Sequence, residues 1–182
     1  MPILNLNPLP GEEQGSFEVA LTVVDKYNSL AVNALIEEYG CNSKRCLLGE
    51  VEHSIGRKAS LSETHGRHMS VDMEKVSHSL KNFRIESDES DKDVKLLLAT
   101  IKPAGPYGDK VKENLESGAI LFARRSLKFH GTDGAFVRCL KMVAFDLLPV
   151  DDYMDYPAEE RITVTHSKKL RKENKPILVN SK

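Results

Sequence analysis

A chain of 182 residues that is 40% hydrophobic and 29% charged is long and apolar enough to bury one ordinary globular core. Its formal net charge of −1 provides no overall field for gathering nucleic acid or an anionic membrane surface. No apolar run approaches the ~20 residues of a membrane-spanning helix, and the opening "MPILNLNPLPGEEQG" lacks the basic start and long apolar stretch of a secretory signal.

In chain order, "SFEVALTVV" alternates and then turns continuously apolar, as a strand entering a core does. "SLAVNALIEEYG" predicts a helix, with Leu30, Ala34, Leu35 and Tyr39 at helical spacing and Gly40 as its stop. "RCLLGEVEHS" reads as a short strand running into His53, and "IGRKASLSETHGRHMS", without a period, as a loop. "VSHSLKNFRIE" and "DVKLLLATIKP" flank the acidic turn "SDESDKD" and predict an antiparallel hairpin. In the first of these strands Val76, His78, Leu80, Asn82 and Arg84 share one side. "PYGDKVKENLESG" predicts a helix through Val111 and Leu115, stopped by Gly118. The strand "AILFARRSLKF", the turn "HGTDG" and the strand "AFVRCLKMVAFDLLP" follow. Beyond Val150 only "RITVT" and "PILV" are candidates for structure. The order predicts an α+β domain with an antiparallel or mixed sheet, or a barrel, flanked by helices. Residues 1–16 read as an N-terminal arm, 17–150 as the domain and 151–182 as a polar tail.

Cys41, Cys46 and Cys139 suit reduced thiols in a cytoplasm better than a disulfide framework. Cys41 and Cys46 lack the close pair of a structural zinc site, so no metal is expected. "KKLRKENK" near the end reads as a solvated tail, with nucleic-acid contact the lesser alternative.

Of six histidines, His65, His68, His78, His130 and His166 read as surface residues, with His78 on an exposed strand face. His53 differs because it closes an apolar strand where a loop begins, a place where a rigid scaffold presents catalytic groups. Arg124 and Arg125 in "ARRS" suit either an oxyanion site or a solvated strand face. Asp146 is an acid inside an apolar strand and needs a partner: a histidine to orient, or backbone donors at the strand end.

Taken in order, "LLGEVEHS", the hairpin, "GDKVKENLESG", the arginine strand and "VAFDLLP" resemble the prohead core proteases of tailed phages. These are serine proteases related in fold to the herpesvirus assembly proteases, and the resemblance spans roughly Phe17 to Pro149. It implies that His53, which follows the Leu-Gly-Glu stretch, is the catalytic base and that Asp146 orients it. The family's nucleophile strand typically reads Gly-Val-Ser-Ser-Arg-Gly. Setting its arginine on Arg125 puts Ala123 where the nucleophilic serine belongs. The chain is then either a naturally inactive relative or a Ser-to-Ala form. Ser126, three positions on, is the competing nucleophile, although strand alternation turns it to the opposite face.

The resemblance further implies an oxyanion site at Arg124 and Arg125 and no cofactor. It implies scaffold, core and major capsid proteins as substrates, cut after an acidic residue inside the phage prohead in the host cytoplasm. A self-processed tail and a homo-oligomer are compatible with it. The competing reading is a non-catalytic capsid- or scaffold-binding protein that retains the protease fold.

Overall fold

The structure, a computed structural model, describes residues 3–5, 7–8, 15–51, 69–88, 91–117, 119–132, 137–147 and 161–165. The strands are β1 (Ile3–Asn5), β2 (Asn7–Pro8), β3 (Phe17–Val24), β4 (Leu47–Glu50), β5 (Val76–Ser87), β6 (Lys95–Pro103), β7 (Ala119–His130), β8 (Val137–Leu147) and β9 (Arg161–Thr165). Helix α1 spans Ser29–Tyr39, and α2 spans Gly108–Ser117. The fold is α+β, as the element order predicts.

One antiparallel sheet runs β2-β3-β6-β5-β4, with the predicted β5–β6 hairpin inside it. The second runs β1-β9-β7-β8 and is mixed, because β1 and β9 are parallel. The sheets are joined on both sides: β1 and β2 nearly follow one another in the chain, and Val51 just past β4 bridges Leu147 at the end of β8. "RITVT" therefore forms a sheet strand next to β7. "PILV" lies outside the described residues, as do His53, His65, His68, His166 and Gly118.

The central strand β6 is buried from Leu97 through Ile101, the continuous apolar run expected of a strand covered on both faces. Val19, Leu21, Leu80, Phe83, Phe122 and Phe145 complete the middle of the core. Helix α1 packs on β8 and β5, and the Cys139 N–H donates to the Tyr27 carbonyl at 2.9 Å. Helix α2 lies over β5, β6 and β7, with Val111 fully buried. Among the described residues no helix is long and apolar enough to cross a membrane.

In two elements the buried face differs from the one that simple spacing would mark. Helix α1 buries Ala31, Val32 and Leu35, while Ala34 is exposed and Leu30 is 63% exposed. Ser29, Asn33 and Glu37 form a polar stripe along this helix, and the side opposite it, through Ala31 and Leu35, is the one buried. In β5 the alternation breaks at Asn82, which has φ 57°, within a bulge between Lys81 and Arg84. The extra residue reverses the phase of the strand, so Phe83 is buried and Asn82 and Arg84 are only partly so.

Candidate active site

Strands β4, β7 and β8 bring the "LLGE", "ARRS" and "AFD" segments to one buried polar cluster. Asp146 near the end of β8 is 1% exposed. Its Oδ2 accepts the Nε–H of Arg125 at 3.0 Å and its Oδ1 an Nη2–H at 3.2 Å, a two-pronged guanidinium–carboxylate pair. The backbone N–H of Glu50 also donates to Oδ1, at 3.3 Å. The Glu50 side chain is fully buried, and its Oε2 lies 3.8 Å from Arg125 Nη2. Arg125 Nη1 donates to the Ser70 carbonyl, and Asp72 N–H donates to Glu50 Oε2 at 2.6 Å. Buried charges persist only when paired and hydrogen-bonded in this manner.

The two arginines are not a solvated face. Arg125 is 4% exposed and Arg124 8%. Arg124 stands against the other sheet, its Nη1 3.4 Å from Thr22 Oγ1, and its buried Nε has no partner among the described residues. Ser126 is also buried, at a shift in the β7–β8 register, with Cys139 as a neighbour. Burial pushes the Cys139 thiol upward, while Arg124 and the Ser126 hydroxyl pull it the other way. Cys41 and Cys46 are exposed.

Ala123 is the register partner of Asp146 on β8 and of Arg161 on β9. The described β9 ladder ends at that residue, so at Arg124 and Arg125 the described register partners of β7 are those on β8. Position 123 and Asp146 are thus brought together directly. Val51, two residues before His53, meets the chain beside Asp146 through its bridge to Leu147.

His78 is fully buried, which corrects its assignment to an exposed strand face. Its Nε2 lies 2.8 Å from the Phe145 carbonyl oxygen, which can only accept, so Nε2 bears the proton. Nδ1 then accepts from the Ser77 hydroxyl at 2.8 Å. The ring meets Phe122 edge-on, with centroids 5.1 Å apart. Burial lowers its pKa to about 4, against the upward pull of the Phe145 carbonyl. On its other side is Gly49, where any Cβ would overlap both the His78 ring and the Phe145 carbonyl. Only glycine lets β4 and β8 approach this closely.

Sequence reasoning missed Glu50 and His78. Glu50 carried the same signal as Asp146, an acid within an apolar strand, but its neighbour His53 drew the attention. His78 was hidden because unbroken alternation grouped it with Asn82 and Arg84.

The three motif-bearing strands of this α+β chain meet on one enclosed acid–arginine cluster, and comparison identifies the class of protein as a peptidase. The model of the Peptidase S80 family matches residues 42–151, about three fifths of the chain, from the end of α1 past β8. The chain belongs to the Peptidase S80 family. No curated protein and no solved structure matches it.

Proposed function

We propose that this member of the family has the scaffold of a phage prohead serine endopeptidase, with the architecture of the herpesvirus assembly proteases and an inactivating alanine at the nucleophile position. The observation that supports it most is the pairing of Ala123 with Asp146, beside the strand that leads to His53.

With serine at position 123, its Oγ attacks the scissile carbonyl carbon as His53 takes the hydroxyl proton. The C–N bond then breaks, and the imidazolium returns the proton to the departing amine. Water, deprotonated by His53, releases the acyl group and regenerates the serine. Asp146 takes the imidazole as a further donor beside Arg125 and fixes its tautomer. A backbone N–H at Arg124 or Arg125, on the edge of β7 that the β8 ladder leaves open, holds the oxyanion, while the Arg125 guanidinium remains on Asp146 and Ser70. Ser126, buried next to Cys139, is the poorer nucleophile.

The substrates in this reading are scaffold, core and major capsid proteins, cut after acidic residues within the prohead in the host cytoplasm. Crowding there makes weak intrinsic affinity sufficient. The reaction uses no metal or organic cofactor. A second reading, a non-catalytic capsid- or scaffold-binding relative, is favoured by Ala123 itself, whose methyl group cannot attack a carbonyl.

Ala123→Ser separates the two. Loss of a triad nucleophile costs on the order of a millionfold in rate, so restoring it should produce cleavage of the chain's own tail and of a co-expressed scaffold protein by mass spectrometry. Adding His53→Ala should abolish both. A folded Ala123→Ser protein that cuts neither favours the binding reading. Activity of the Ala123 chain that disappears with Ser126→Ala would move the nucleophile to Ser126.

A further inference from the structure

Glu50 has no role in the chemistry just described, yet it is fully buried and its carboxylate accepts the backbone N–H of Asp72 at 2.6 Å. Around it, the chain just before residue 52 is tied to the chain just after residue 68, and that returning chain is tied in turn to Arg125 on β7. Glu50 Oε2 accepts from Asp72, the Val51 N–H donates to the Lys75 carbonyl at 3.0 Å, and Arg125 Nη1 donates to the Ser70 carbonyl. Arg125 faces Glu50 and Asp146 together, so Glu50 and Ser70 share a guanidinium with the carboxylate opposite position 123.

We propose that Glu50 is a positioning residue of the peptidase site. Held by Arg125, its carboxylate fixes the Ser70–Asp72 backbone against β4 and sets where the chain leaves and rejoins the sheet on either side of His53. The inference rests on the reading of His53 and position 123 given above.

The choice of a carboxylate supports this role. Removing a charge from water is costly, and well-packed apolar side chains of similar volume commonly give equal or greater stability. What the carboxylate adds is direction, through a short charge-assisted bond to the Asp72 amide. A misplacement of about 1 Å arising away from the reacting atoms can lower the rate a hundredfold.

The test uses the full chain carrying Ala123→Ser, with the intact Ala123 chain supplied as its substrate. Glu50→Ala and Glu50→Gln are compared for kcat/KM, for the Asp72 amide proton shift by NMR and for the unfolding midpoint. Glu50→Ala should move the Asp72 amide upfield and lower kcat/KM about a hundredfold. Glu50→Gln retains an oxygen acceptor and should recover part of both. If Glu50→Ala does not fold, Glu50→Gln decides: an unchanged Asp72 shift with unchanged kcat/KM overturns the proposal. A folded Glu50→Ala protein that loses the Asp72 signature but cleaves at the parent rate also overturns it, leaving the site reading intact. If the parent Ala123→Ser chain does not cleave, the site reading falls and this inference falls with it.

Discussion

Acid should weaken this protein through one imidazole. His78 is fully buried, gives its Nε2 proton to the Phe145 carbonyl, and has its pKa lowered from 6.5 to about 4 by burial. In the unfolded chain the same ring protonates near pH 6.5. Between those values the unfolded state binds the additional proton, so stability rises with pH across that window. The contribution is complete above about pH 6.5, falls by about 1.4 kcal/mol for each unit of acidification, and is gone below about pH 4. The whole amounts to about 3 kcal/mol, against the ~5–15 kcal/mol that hold a typical domain together. Urea unfolding of the parent and of His78→Gln from about pH 7 to about pH 4 isolates it, because carboxylates titrate in both chains and cancel in the difference. Glutamine keeps an N–H for Phe145 and does not titrate, so the parent's margin over the variant should shrink by about 3 kcal/mol over that range. A difference flat to within ~0.5 kcal/mol would refute the picture of a neutral, buried ring.

Three further outcomes are expected. Gly49→Ala places a Cβ into the His78 ring and the Phe145 carbonyl, and should cost about 1–3 kcal/mol, read as a lowered melting temperature. Asn82→Val must hold a β-branched residue at φ 57° and should lose about 1–2 kcal/mol in urea titrations, whereas Asn82→Gly should stay close to the parent. Arg125→Leu leaves Asp146 and Glu50 buried without their guanidinium and should cost about 3–5 kcal/mol, part of it recovered on adding Asp146→Asn. Additive effects in that double-mutant cycle would show that the pair does not interact as drawn.

The order of strands and helices was legible because most segments have one strong period and a clear stop. "DVKLLLATIKP" reads as a strand, and the acidic turn before it makes a hairpin the economical pairing, which is the pairing found. Faces were less legible, since they depend on events that leave little trace in composition. One residue added at Asn82 reverses the phase beyond it, and in α1 the spacing of Leu30 and Ala34 pointed away from the side that packs on β8 and β5. Asp146 was readable as an acid in need of a partner, but the partner was not. Arg125 lies 21 positions earlier, and only the β7–β8 register brings the two together. His78 was misplaced for a related reason, since its acceptor is a backbone carbonyl on another strand, and a carbonyl leaves no mark on the sequence.

Strand β9 gives the region beyond Val150 a structural meaning that its composition hides. Arg161–Thr165 lies between β1 and β7 in the second sheet, so it is an inner strand supplied by the last fifth of the chain. A cut anywhere from Val150 to Arg161 that released the remainder would take away the partner of β1 and expose the backbone donors and acceptors of Ala119–Ala123 along one flank. Unpaired strand flanks recruit other strands. Shortening this protein therefore amounts to more than trimming an appendage: it would create an adhesive border on the strand that bears position 123.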